Sequence, residues 1–281
     1  MAVRPTALRN LSLLLRHDPR RSYSSSTSSV NPTEISHFDK LASSWWDPNG
    51  SSRLLHQMNP LRHDFISSSL DSQPDPPSTA KRRYLDVGCG GGIFAESAAR
   101  LLSTGSVLAL DPSSEVIAVA REHARQDPLL LQPGRLEYGN KSIEDLPTPK
   151  SSQDQFDILT LFEVIEHINQ PAPFLHSCLP FVKPGGWLIL STIARTWTSW
   201  LTTKVVAEEV VRLVPRGTHD WEKYVNEEEM RKFFRGLDGW GSDGGVRSQG
   251  VVFVPGLGWR RVDVGERWGN YFFGVRRDGG R

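Results

Sequence analysis

Between residues 83 and 191 short apolar runs alternate with amphipathic stretches, and this alternation limits the fold more than any other feature. Residues 84–87, 106–110, 136–139, 156–161 and 187–191 have strand character. Residues 93–102, 115–124 and 173–181 carry apolar side chains at helical spacing, with Phe94, Ala98 and Leu101 on one side of the first. Strands that alternate with helices form βαβ units and a mostly parallel sheet covered on both faces. Ligands of such sheets lie beyond the carboxyl ends of the strands, where the strand order reverses. The chemistry is expected there, in the segments that follow residues 87, 110 and 161.

The first of these segments is Asp86-Val87-Gly88-Cys89-Gly90-Gly91-Gly92. Glycine admits positive φ and lets a backbone approach a ligand without a Cβ in the way. A ligand-free tight turn would use the same residues. A dinucleotide fingerprint needs a third small residue at fixed spacing: Ile93 fails it counted from Gly88, whereas Ala95 meets it counted from Gly90. Asp86 is less easily explained by a dinucleotide. A carboxylate there either braces the loop or accepts a hydrogen bond from an ammonium, which S-adenosylmethionine has and NAD lacks. Asp111 closes the second strand, 23 residues after Gly88. It can accept from both ribose hydroxyls of an adenosine, or cap the helix that begins at Pro112.

After the fourth strand, Glu163, Glu166 and His167 stand at i, i+3 and i+4. On a helix they would share a face, either solvated or able to ligate a divalent ion such as Mg²⁺. His167 or Glu163 could instead serve as a general base.

Asp86-Val-Gly-Cys-Gly-Gly-Gly, Asp111, Phe156-Asp157 and Lys183-Pro184-Gly185-Gly186 together resemble a class I S-adenosylmethionine-dependent methyltransferase. More narrowly, Trp45-Trp46-Asp47, residues 56–62 (His-Gln-Met-Asn-Pro-Leu-Arg), residues 163–167 (Glu-Val-Ile-Glu-His) and residues 216–220 (Arg-Gly-Thr-His-Asp) resemble the ubiquinone-biosynthesis O-methyltransferases. The resemblance runs from about residue 33 to about residue 230, with Asn270-Tyr271 as a fainter echo. It implies a Rossmann-like α/β fold with a mostly parallel seven-stranded sheet and helices on both faces. It places Arg62, Asp86, Gly88, Gly90, Asp111, Ile143 and Phe162 at the cofactor, Arg62 toward the methionine carboxylate. It assigns Mg²⁺ to Glu163, Glu166 and His167, where a cation would favour the phenolate of a catechol. The implied acceptors are a polyprenyl dihydroxybenzoate and a demethylubiquinol, and the implied partners a membrane-bound biosynthetic complex. A different phenolic acceptor, a nicotinamide-dependent oxidoreductase and a non-catalytic member of an assembly are the competing readings.

The flanks carry less chemistry. Residues 1–30 hold five arginines, no lysine and one acid, with serines crowded over residues 22–29, and read as a mitochondrial transit peptide. Residues 31–80 read as a helical segment, broken at Asp47-Pro48-Asn49-Gly50, with a linker that begins near residue 67. The catalytic domain is expected over residues 81–281, with residues 193–224 inserted as a lid or membrane-facing amphipathic helix. Residues 227–229 are an acidic first turn capped by Asn226. The glycine-rich stretch after residue 236 suggests a pair of strands with loose turns. Lys+Arg total 33 against 32 Asp+Glu, so no basic field favours nucleic acid. Two cysteines, Cys89 and Cys178, exclude a disulfide framework. The expected location is the matrix side of the inner mitochondrial membrane, held peripherally.

Overall fold

Tyr84, Leu85, Asp86 and Val87 are all buried because their strand, β1 (Arg82–Val87), lies in the interior of the sheet and is covered on both faces. The computed structural model describes residues 29–50, 52–73, 80–194, 225–263 and 269–279. The transit peptide, nearly all of the helix expected over residues 193–224, and residues 216–220 lie outside the described residues.

The other strands are β2 (Thr104–Asp111), β3 (Leu136–Asn140), β4 (Phe156–Phe162), β5 (Val182–Ile193), β6 (Val246–Val254), β7 (Gly258–Val262) and β8 (Asn270–Arg276). Their order is β3-β2-β1-β4-β5-β8-β6-β7. The first five run parallel; β8 enters antiparallel between β5 and β6, and β7 completes a hairpin with β6. Among the described residues the sheet thus has eight strands rather than the expected seven. The added strand is the edge strand β7, which the glycines around it obscured in the sequence. The strand order reverses between β1 and β4, the position at which α/β sheets take ligands.

Among the described residues six helices accompany the sheet: α1 (Pro32–Leu41), α2 (Arg53–Asp71), α3 (Ile93–Ala99), α4 (Ser114–Ala124), α5 (Pro171–Cys178) and α6 (Glu227–Arg235). Three of the starts are capped by a side chain. The Asn31 side chain accepts from the Thr33 amide with Pro32 at the first position of α1, Ser113 accepts from the Val116 amide ahead of α4, and Asn226 and Glu229 form a reciprocal capping box on α6. The helices divide between the two faces. Phe94 and Ala98 of α3, Ile117 and Ala120 of α4, and Phe65 of α2 pack with Tyr84 and Ile158 on one face. Phe174 of α5 and Met230 and Phe234 of α6 pack with Leu85, Leu159 and Phe273 on the other.

Three local expectations change. Residues 163–168 form no continuous helix: Glu163 has φ +57°, and only Ile165–His167 makes a 3-10 turn. The strand expected over residues 187–191 is longer, with Lys183–Gly186 inside β5 as an irregularity, where pairing passes from Phe156–Val182 to Ile158–Trp187. The linker starts later than residue 67, because α2 continues to Asp71.

Candidate functional site

A cavity of about 840 Å³ opens at the carboxyl ends of β1, β2 and β4 and is roofed by α1, the start of α2 and the β6–β7 hairpin. Its volume suits a ligand of several tens of atoms. Arg62, Asp86, Gly88, Gly90, Asp111, Ile143, Phe162, Glu163, Glu166 and His167 all line it. Residues far apart in the sequence are therefore brought to one space.

Asp86, the penultimate residue of β1, is almost wholly buried. Its Oδ1 accepts a 2.7 Å hydrogen bond from the Thr160 hydroxyl, whereas its buried Oδ2 has no partner among the described residues. Burial pushes its pKa up to about 6, against the opposing pull of Thr160 and Arg62. A buried carboxylate oxygen without a partner is costly unless a ligand completes it.

Arg62 is similarly incomplete. It is 3% exposed, its Nη1 donates to Asn59 Oδ1 at 3.1 Å, and its Nε is buried without a partner among the described residues. Burial lowers its pKa, while Glu163, Asp86 and Glu166 act in the opposite direction. Its guanidinium carbon lies 4.7 Å from the centre of the Phe162 ring, a cation–π contact. Phe162 meets Phe94 edge-on at 4.6 Å. Asn59 also donates to the Ile93 carbonyl at 2.9 Å, which ties α2 to the start of α3.

Asp111 does not cap α4; Ser113 does. Asp111 instead accepts from the Gly90 amide at 2.9 Å through Oδ2 and from the Ser113 amide at 3.0 Å through Oδ1. Each oxygen keeps a further lone pair for a hydroxyl donor. Burial pushes its pKa up to about 6. Ile143 is buried at the first position of a short 3-10 turn fixed by Ser142 and Asp145.

The glycine loop is shaped by neighbours that local reading missed. A Cβ on Gly88 would fall 2.5 Å from Val164 Cγ2, and one on Gly90 would fall 2.3 Å from Trp45 Cζ2. Gly88 and Gly90 also have φ of +72° and +53°, so they meet both a steric and a conformational demand for glycine. Trp45 lies across Gly90 and Gly91, and Trp46 Nε1 donates to the Gly91 carbonyl at 2.8 Å. Trp46 also stacks on His123, with ring centres 3.4 Å apart. The Trp45-Trp46 pair was visible in the sequence; its place on the loop was not.

Glu163, Glu166 and His167 share the cavity without sharing a face. The Ser191 hydroxyl donates to Glu163 Oε1 at 2.5 Å, the Thr192 hydroxyl donates to Glu166 Oε2 at 2.9 Å, and His167 Nδ1 lies 3.0 Å from Glu34 Oε2. Burial pushes the Glu166 carboxyl upward, helped by Glu163. Burial opposes the charged form of His167, but the hydrogen bond with Glu34 and the surrounding carboxylates leave its pKa raised. Among the described residues no three His, Cys, Asp or Glu side chains converge so as to hold a metal ion. As arranged, the three residues do not fit the expected Mg²⁺ site, because the left-handed turn at Glu163 sends them toward separate partners. Glu34, which sequence reasoning passed over as an ordinary residue of α1, is the fourth ionisable group here.

Residues 53–238 match a family model described as a methyltransferase domain. The ubiquinone biosynthesis O-methyltransferase, mitochondrial, of Candida albicans is 37% identical, with 89% of this chain and 86% of that protein covered. The protein of the same name from Schizosaccharomyces pombe is 45% identical over 74% of this chain and 72% of its own length. In fold, the plantazolicin methyltransferase solved with SAH superposes with a TM-score of 0.57 at 14% identity, covering 88% of this chain and 98% of that one. Magnesium protoporphyrin IX methyltransferase from Synechocystis, also solved with SAH, gives 0.56 at 15% identity over 86% and 94%.

Proposed function

Because this chain belongs to the ubiquinone biosynthesis O-methyltransferase family, and is thus an S-adenosylmethionine-dependent O-methyltransferase, we propose that it methylates hydroxyls of prenylated catechols. The acceptors in this reading are 3,4-dihydroxy-5-polyprenylbenzoate and demethylubiquinol. Family membership sets aside the dinucleotide alternative. The observation that carries the cofactor assignment is that, among the described residues, the buried Oδ2 of Asp86 and the buried Nε of Arg62 have no partner, and both residues line the same cavity. An amino acid carries one donor group and one acceptor group that suit these two.

S-adenosylmethionine, when bound, supplies an electrophilic sulfonium methyl. In this reading Asp86 accepts from its ammonium, Arg62 holds its carboxylate and Asp111 takes the ribose hydroxyls. Ile143 and Phe162 provide apolar walls, and Gly88 and Gly90 keep the loop free of side chains. The chain's own proton acceptor is His167. Hydrogen bonding of Nδ1 to Glu34 fixes the tautomer, so Nε2 is the basic nitrogen that removes the catechol proton. A phenol titrates near 10, so proton removal is the part of the reaction that most needs help. Cys89 and Cys178 take no part: burial pushes both thiols well up, so they stay protonated.

Mg²⁺ belongs to the finer part of the reading. It would require Glu163, Glu166 and His167 to leave their present partners, and no step is routed through it. It is a mitochondrial enzyme, as the names of its fungal relatives have it; attachment to the matrix face of the inner membrane and membership of a multi-subunit complex are further proposals. Among the described residues no helix is long and apolar enough to cross a membrane. The membrane proposal expects the protein to float with cardiolipin-containing liposomes; sedimentation without them would refute it.

The direct test uses labelled S-adenosylmethionine and a short-chain prenylated dihydroxybenzoate. Label is expected in the methyl ether, with His167→Asn slowed by about 10²–10⁴-fold while cofactor affinity persists. No transfer to any catechol despite cofactor binding would refute the acceptor class. Loss on EDTA with recovery on Mg²⁺ would support regrouping around an ion. Indifference to EDTA would leave proton removal to His167.

A further inference from the structure

The cofactor groups occupy one end of the cavity, and the other end is apolar. Leu54 and Leu55, at the start of α2, line it together with Val251, Val252, Phe253 and Trp259 of the β6–β7 hairpin. Val252, 40% exposed, points to the opposite face from Val251, Phe253 and Trp259, which share one face of the hairpin. Val251 is buried against the core while Phe253 and Trp259 are half-buried, so this face runs from the interior outward. Beyond it Leu257, at the hairpin turn, is 62% exposed. A tight turn ordinarily places polar residues at such a tip.

The hairpin is held in this position by contacts other than its sheet pairing. Trp259 Nε1 donates to the Leu54 carbonyl at 2.9 Å, and Arg261 pairs with Asp64 farther along α2. Phe253 and Trp259 are register partners and meet edge-on at 5.6 Å. The strand that exceeds the expected seven is therefore the piece that joins sheet edge to α2 and closes one side of an apolar channel.

Resting on the catechol methyltransferase reading, we propose that this channel carries the acceptor's isoprenoid tail, with the β6–β7 hairpin and the first turn of α2 as its walls. The ring lies toward Glu163 and His167, and the tail leaves past Phe253 and Trp259 toward Leu257. The channel is continuous with the cavity that holds the reacting groups, and its lining is apolar where a hydrocarbon chain would pass.

The test compares a farnesylated dihydroxybenzoate with the tail-free dihydroxybenzoate, both in solution without lipid. In Phe253→Asp the ratio of kcat/KM for the tailed over the tail-free acceptor is expected to fall by about tenfold or more, because a charge is set against the hydrocarbon. Phe253→Leu, which keeps the wall apolar, is expected to restore the ratio. Circular dichroism on both variants guards against a folding defect. An unchanged ratio in Phe253→Asp would overturn the proposal, as would an equal loss on both acceptors. A loss seen only when vesicles are added would overturn it in favour of a lipid contact. If the unaltered enzyme methylates neither acceptor, the catechol reading itself fails and this proposal with it.

Discussion

Asp86→Asn is expected to raise the melting temperature of the cofactor-free protein while weakening S-adenosylmethionine binding by about 100-fold. The two effects share one cause. Among the described residues Oδ2 is a buried acceptor without a partner, and burial holds its charge at a loss. Asparagine keeps the shape and the acceptor for Thr160 but removes the charge. A hydrogen bond to a charged group is worth about 1.5–3 kcal/mol, which sets the size of the binding loss. The pH dependence has a definite sign. The folded pKa of about 6 lies above the unfolded value of about 4, so the ionised group costs stability fully above pH 6 and not at all below about pH 4. The melting-temperature advantage of the variant should accordingly be present at pH 7.5 and gone near pH 4. Cofactor affinity of the unaltered protein should fall as pH drops through 6, since a neutral carboxyl cannot pair with an ammonium. Scanning calorimetry and titration calorimetry at the two pH values check both halves. A variant that is less stable at pH 7.5 would contradict the assignment.

The second large effect concerns the loop and the indole upon it. A Cβ at Gly91 would fall 2.2 Å from Trp45 Cδ1 and 2.4 Å from Cγ, and Gly91 has no positive φ to complicate the substitution. Gly91→Ala should cost about 1–3 kcal/mol by overpacking and displace the loop from the cofactor cavity. Trp45→Ala alone should cost about 3–5 kcal/mol through the lost burial. In the double variant the added methyl moves into vacated space, so the pair should cost about 1–3 kcal/mol less than the sum. Urea unfolding of the four proteins measures the cycle. Strict additivity would mean that the indole does not restrain the loop.

The parts of the site that were legible in the sequence are those whose function is written into adjacent residues. Asp86 and the glycines follow one strand within seven residues, Asp111 ends the next strand, and Phe162 ends the fourth; a strand end fixes the position of each. Arg62 was reached by resemblance, and its burial depends on Asn59 and Phe162, which periodicity cannot supply. Glu163, Glu166 and His167 were misjudged as a helical face because a non-glycine residue at φ +57° is rare and leaves no compositional mark. Glu34 and Trp45 were invisible as site residues since their partners, His167 and Gly90, lie 133 and 45 residues away. In the glycine-rich tail, alternation is too short to separate one hairpin from two strands, and β7 is defined by its pairing with β6 and its anchoring to α2.

The place of β8 also bears on the order in which the chain becomes a protein. It is the last strand in sequence, yet it is interior to the sheet, paired with β5 along residues 187–193 and with β6 along residues 246–251. Until residues 270–276 exist, β5 is an open edge and the β6–β7 hairpin has no sheet to join. Long-range pairing of this kind closes slowly. A sheet sealed by its last strand leaves the chain open and threadable for longer than one sealed early.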